Sequence, residues 1–235
     1  MRPPVPATGR FAVVSGLAGE IVALQPGRRV VVGVDGVDGA GKTVLADQLA
    51  EVIGAARDVV RVSVDGFHRP RAERVARGRG PESFYEDSYD YAAFRRAVLE
   101  PFRAGLPVTP TVDDVERDER VTPGSLPVGV DTVLLVDGIF LQRPELADAW
   151  NAVVFVDVPF AVSVPRGNAR FDGDHHGDHH GDHHGDHDDD PEAPSNSRYV
   201  GGQRLYLAQA QPRQSATWVL DNTDLDAPVL HHNRR

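Results

Sequence analysis

Apolar positions along the chain fall into two alternating patterns. Short, nearly continuous runs rich in β-branched residues occur at 29–34, 58–64, 131–136, 152–158 and 217–220. Such runs suit strands buried on both faces of a parallel sheet. Between them, apolar residues recur at helical spacing: Val44, Leu45, Leu49, Val52 and Ile53 within 43–55, and Phe94, Val98, Leu99 and Phe102 within 91–104. A mostly apolar stretch with small residues, 11–24, predicts one more helix, packed on the domain edge. The Arg-, Gly- and Pro-rich stretch 67–90 reads as a loop holding a short helix, and 106–130 as a polar, Pro-containing connection. Strands separated by helix-length segments predict an α/β fold with a mostly parallel sheet and helices on both faces, three layers in all. Ligands of such sheets bind beyond the carboxyl ends of the strands, and Asp35, Asp65, Asp137 and Asp157 fall at or near those ends.

Composition changes this picture in two places. The net charge of −10 is local, because eight aspartates lie within 172–190 and the rest of the chain carries 27 acids against 25 bases. A nearly neutral body lacks the clustered basic charge that duplex nucleic acid demands. No apolar run is long enough to span a membrane, the first residues do not read as a signal peptide, and there is no cysteine for disulfides or thiolate chemistry. A cytoplasmic protein of 235 residues is expected, with a leader and edge helix over 1–28, one domain over 29–230 and a low-complexity insert over 172–197. The second place is lysine. Lys42 is the only one, against 24 arginines. An ammonium is a compact point charge where a guanidinium is a broad planar fork, so this position requires the narrower shape.

Lys42 sits in Gly36-Val37-Asp38-Gly39-Ala40-Gly41-Lys42-Thr43, which satisfies the Walker A pattern G-x-x-x-x-G-K-[ST]. A buried-type strand precedes it and an amphipathic helix follows, the context the motif needs. Glycines let the backbone wrap so that successive N–H groups point at phosphate oxygens, and the helix adds its positive end. Lys42 is then the group for the β- and γ-phosphates, and the Thr43 hydroxyl is a magnesium ligand. The fold class is therefore P-loop NTPase, with ATP and Mg²⁺ as the expected cofactors. The guanine signature Asn-Lys-x-Asp needs a second lysine, which this chain does not have.

Four further segments follow in order: Val64-Asp65-Gly66-Phe67-His68; Tyr85-x-Asp87-Ser88-Tyr89-Asp90; Leu134-Leu135-Val136-Asp137-Gly138-Ile139-Phe140; and Tyr199-x-x-Gly202-Gln203-Arg204-Leu205-Tyr206 with Asp221-Asn222. Together with the loop they resemble the uridine kinase-like branch of P-loop kinases, related to pantothenate kinase and phosphoribulokinase. The resemblance implies an ATP-dependent kinase that phosphorylates a hydroxyl of a small molecule, a nucleoside such as uridine or cytidine first. It puts Asp65 where the family places the carboxylate that aligns the acceptor hydroxyl and takes its proton. Asp137 holds the place of a second acid, often glutamate in uridine kinases, able to hold Mg²⁺ through water. By the same resemblance His68, Tyr85, Asp87, Asp90 and Arg204 line the acceptor side, and Arg166 and Arg170 are lid arginines for the transferred phosphoryl group.

Plainer readings stand beside these. Asp65 and Asp137 each precede a glycine and could serve only to turn the chain. His68 could be a packed histidine, and Tyr85, Tyr89 and Tyr91 the apolar rim of the following helix. Arg166 and Arg170 could be surface residues, and Pro165, Gly167 and Asn168 count against an unbroken lid helix. Seven histidines between His175 and His187, interleaved with aspartates, form a low-complexity tract suited to adventitious Zn²⁺ or Ni²⁺ binding. That tract raises a rival, a metal-delivery NTPase similar to the nickel-insertion GTPases. The missing guanine signature, the lack of cysteine and the placement of the tract at the lid oppose it. A nucleotide-binding P-loop protein without turnover is the remaining alternative. No nucleic-acid or membrane partner is expected, and a homo-oligomer is left open.

Overall fold

Strand β1 (Val30–Gly36) is buried at every position, so it needs cover on both sides. The computed structural model of the chain, which describes residues 9–114, 118–121, 123–173 and 188–233, supplies that cover. The chain runs α1 (Arg10–Val22), β1, α2 (Lys42–Gly54), β2 (Val59–Ser63), a 3₁₀ turn (Val64–Phe67), α3 (Arg71–Arg77), α4 (Pro81–Asp87) and α5 (Tyr91–Phe94). A π segment (Arg95–Leu99) leads into α6 (Glu100–Ala104), β3 (Asp113–Asp114), β4 (Glu119–Arg120), β5 (Val133–Gly138) and β6 (Ala152–Asp157). The last elements are α7 (Phe160–Gly173), α8 (Ser197–Ala210), α9 (Pro212–Ser215), β7 (Trp218–Asp221) and β8 (Val229–His232).

The main sheet has the order β2-β5-β1-β6-β7-β8. Every pair in it is parallel except β7 with β8. Side-chain alternation sorts the strands between two cores. Val31, Val62, Leu134 and Val136 join Phe94, Phe102, Phe140 and Tyr206 on one face. Val32, Val34, Leu135 and Val154 join Leu17, Leu45, Leu49 and Ile53 on the other. The result is the three-layer α/β/α arrangement, with β1 at its centre.

Each of the five expected strands forms, shifted by at most a few residues. The expected helix over 91–104 forms as well, but its middle turns wide as a π segment. Pro101 has no N–H to give the carbonyl of Ala97, and the backbone of Thr109 donates to that carbonyl at 2.9 Å instead. Four features depart from expectation. Residues 67–90 hold two helices, α3 and α4. The polar connection contains a short antiparallel ribbon, β3 with β4, and the chain adds an antiparallel edge strand, β8. Finally, α7 is continuous with Pro165 inside it, against the expectation of a broken lid helix.

The reason for that last difference is tertiary. Gly167 faces Gly39 of the loop, and a side-chain carbon on Gly39 would lie 2.0 Å from the Ser163 carbonyl oxygen and 3.0 Å from the Gly167 nitrogen. The approach depends on the loop glycine, Gly39, since a side-chain carbon on Gly167 would come no nearer than 4.0 Å to it. The ends of the stretch read as an insert are also built into the fold. Residues 172 and 173 complete α7, while Asn168 and Asn196 both donate to the carbonyl of Asp188, at 3.1 and 2.7 Å. The leader residues 1–8 and the histidines from His175 to His187 lie outside the described residues. No described helix is long and apolar enough to cross a membrane.

Candidate active site

The loop between β1 and α2 lies at the carboxyl end of the central strand. Gly39 and Gly41 adopt φ of 72° and 88°, a left-handed backbone that other residues enter only with strain. Gly41 is the N-cap of α2, so the free amides of the first helical turn open into the loop. Residues distant in sequence brace it. Gln203 of α8 accepts from the Asp38 amide at 2.7 Å and donates to the Asp38 carboxylate at 3.3 Å. Asn222, after β7, donates to the Ala40 carbonyl at 2.7 Å and accepts from Arg10 at 2.8 Å. Neither residue was assigned a role from sequence, although both sit within the quoted motif segments.

Lys42 folds back over the loop, with Nζ 2.8 Å from the Val37 carbonyl and 4.0 Å from the Asp38 carboxylate. The Thr43 hydroxyl donates to Asp137 Oδ2 at 2.6 Å, which brings together the two residues expected at the magnesium site. Two observations bear on whether this set fits a magnesium-bound triphosphate. Gly39 and Gly41 hold the left-handed backbone that lets loop amides converge on an anion, and the donors at Thr43 and Asp137 are hard oxygens. Both suit such a ligand. Arg61 of β2 also reaches this corner, 2.9 Å from Asp137 Oδ1. Its only advance signal was a charged residue inside an otherwise apolar strand run.

Asp65 follows β2, which is two strands from β1, with β5 between them. Tyr89 donates its hydroxyl to Asp65 Oδ1 at 2.9 Å, and His68 Nδ1 is 2.9 Å from the Asp65 carbonyl. The rings of His68 and Tyr89 stand 4.3 Å apart. Burial pushes the His68 imidazole below its usual range, with the Asp65 charge opposing, so the ring is neutral near pH 7. Burial, followed by the Asp65 charge, raises the Tyr89 phenol well above its usual value. The Asp38 charge adds a smaller effect at both rings, raising each. Below them, Asp35 is buried and accepts from Tyr206 and from Gln142 at 2.9 Å. Desolvation raises its carboxyl above the usual range despite those donors.

Other expected site residues are occupied elsewhere. Tyr85 is a core residue, buried against Phe140 with the Arg143 guanidinium 4.4 Å over its ring. Asp87 pairs with Arg77 at 2.8 Å, and Asp90 caps α5 by accepting from the Ala93 amide at 2.8 Å. Arg204 faces solvent, where it pairs with Glu192. Arg166 donates to the carbonyls of Asn222 and Thr223, at 2.9 and 2.6 Å, which ties the lid helix to the loop after β7. Arg170 lies on α7, with its side chain outside the described residues. Tyr85, Asp87, Asp90, Arg166 and Arg204 thus each have a partner within the protein. Among the described residues, no group of three His, Cys, Asp or Glu is placed to hold a metal ion.

Comparison with known proteins points the same way. A solved protein of Bacillus stearothermophilus described as a possible uridine kinase superposes with a TM-score of 0.64 at 22% identity, covering 88% of this chain and 96% of that one. A candidate fructose transport system kinase of Silicibacter sp. TM1040 gives 0.63 at 22% identity, over 83% and 94%. In sequence, the pantothenate kinase of Clavibacter michiganensis subsp. michiganensis is 30% identical over 129 residues, 52% of this chain. That match spans only 40% of the pantothenate kinase. No family model matches the chain. The fold is that of the P-loop kinases, and the resemblance drawn from the motifs is met by both the structural and the sequence neighbours.

Proposed function

We propose that this chain is an ATP-dependent kinase that transfers the γ-phosphoryl group to a hydroxyl of a small molecule. The observation that carries the proposal is the Thr43–Asp137 hydrogen bond of 2.6 Å at the start of α2, together with Asp65 held by Tyr89 just past β2. Loop amides and Lys42 hold the triphosphate, with Lys42 exchanging the Val37 carbonyl for phosphate oxygen. Thr43 would hold Mg²⁺, with Asp137 orienting its hydroxyl, and the ion when bound would supply charge neutralisation at the phosphates. Asp65 aligns the acceptor hydroxyl and accepts its proton, while Tyr89 fixes one carboxylate oxygen so that the other is left for the substrate. His68, neutral and stacked on Tyr89, is a wall of the acceptor side.

ATP is the donor because the chain has no second lysine for a guanine signature. A nucleoside such as uridine or cytidine is the first acceptor to test. The relatives named pantothenate kinase and the neighbour titled a fructose transport system kinase add a hydroxy acid and a sugar. The test is calorimetry with ATP and magnesium, followed by ADP release with uridine, cytidine, pantothenate and fructose. Lys42→Ala is expected to abolish nucleotide binding with the fold intact. Absence of any ATP binding by the unaltered protein overturns the proposal. Two arginines favour one second reading, because Arg166 of the lid helix is tied to carbonyls and Arg204 of α8 to Glu192. Tight ATP binding without turnover on any acceptor would support a nucleotide-binding protein that is not a kinase.

A further inference from the structure

Arg61 is the one charged residue of β2, and its guanidinium is committed to the corner where magnesium is expected. It donates to Asp137 Oδ1 at 2.9 Å and to the Val62 carbonyl at 3.2 Å, and through Nε and a terminal nitrogen to Asp47 Oδ1 at 3.1 and 2.9 Å. Asp137 Oδ2 takes the Thr43 hydroxyl hydrogen at 2.6 Å. Both carboxylate oxygens are thus engaged, on a side chain only 1% exposed. A carboxylate buried that deeply is costly unless it is paired and hydrogen-bonded, and here the protein provides its own cation. A divalent ion approaching Oδ1 meets the guanidinium, and one approaching Oδ2 must displace Thr43. The Thr43 oxygen, its hydrogen given to Asp137, has only lone pairs left to offer a metal.

We propose that Arg61 is a charge-compensating, positioning residue. It prevents Asp137 from taking a divalent cation by itself, so that magnesium is accepted only together with the phosphate oxygens of a nucleotide. The proposal rests on reading the loop as a nucleotide site. Its physical basis is repulsion: a fixed positive charge beside the carboxylate cancels the field that would draw in a free cation. Triphosphate oxygens restore negative charge at the same corner and bring hard ligands that the protein alone lacks. Asp137 then acts behind the metal by orienting Thr43.

The test is Mn²⁺ titration of the nucleotide-free full-length chain, with free Mn²⁺ followed by electron paramagnetic resonance. Histidines and aspartates of the 172–190 stretch also take Mn²⁺, so the comparison is between proteins that all carry it. Unaltered protein and Asp137→Asn are expected to give superimposable isotherms. Arg61→Gln is expected to take up one additional Mn²⁺ per chain, and Arg61→Gln/Asp137→Asn to lose it again. The proposal is overturned if Asp137→Asn lowers uptake on its own, if Arg61→Gln gains nothing, or if the gain survives in the double variant. Should Arg61→Gln fail to fold, judged by circular dichroism, the unaltered protein against Asp137→Asn still decides. A protein that binds no ATP would sink the nucleotide reading while leaving the Mn²⁺ comparison interpretable.

Discussion

The phosphate loop and the segment from Asp65 to Asp90 both lie at the carboxyl ends of the strands, yet they use their polar residues in opposite ways. In the loop, distant side chains serve local backbone: Gln203 holds Asp38, Asn222 holds the Ala40 carbonyl, and α7 presses on Gly39. In the second segment, polar side chains mostly serve helix ends, neighbouring helices and the core. Asp90 caps α5, Asp87 pairs with Arg77, and Tyr85 fills the core. Only Asp65, Tyr89 and His68 converge on one another. A phosphate cradle is made of backbone and must be shaped from outside, whereas an acceptor pocket is made of whichever side chains the helices have not already used.

The most severe way to break this contrast is Gly39→Ala. The added carbon would sit 2.0 Å from the Ser163 carbonyl on a backbone with φ of 72°. Nucleotide affinity is expected to fall more than about 100-fold, and stability by about 2–4 kcal/mol, measured by calorimetry and thermal melting. If the loop tolerates the change, it is not braced by α7. Next comes Asp65→Asn, with kcat expected to drop about 10²–10⁴-fold while ATP affinity stays unchanged. Normal transfer at saturating substrate would remove Asp65 as the base.

Asp90→Ala separates the two kinds of residue directly. As a helix cap it should cost about 1 kcal/mol of stability and leave the acceptor KM within about twofold; a large KM effect would return Asp90 to the pocket. The pH dependence of stability sharpens the same point. His68 has a folded-state pKa below its ordinary value, so its contribution is full above that ordinary value and is lost as pH falls through it. Melting temperatures should therefore decline on the acid side of the ordinary imidazole pKa, with a shallower decline for His68→Gln. The smallest effect is expected for Arg204→Ala. Its pair with Glu192 is in solvent, and such pairs are screened, so kcat/KM should stay within about twofold.

Legibility followed the range of each interaction. Gly36 to Thr43 could be read as a unit because the motif is contiguous and its chemistry is backbone geometry. Asp65 and Asp137 stand out in the sequence by their place at strand ends. The partners of Tyr85, Asp87, Asp90 and Arg204 do not, since a helix cap, a core ring and an ion pair use the same residue types as a binding pocket. Arg61, Gln203 and Asn222 act through contacts spanning 76, 165 and 182 positions along the chain, and no local pattern announces those partners.

The amino-acid sequence by itself determined the alternation of strands and helices, the three layers and the loop that follows the central strand. Periodicity of apolar residues and the conformational freedom of glycine act over a few neighbouring positions, and both are written in the order of residues. Tertiary structure decided which polar side chains remain available for chemistry, because a carboxylate or guanidinium goes to the best partner in space. It also decided that α7 would form across Pro165 and Gly167, where close approach to Gly39 outweighs an unfavourable local propensity.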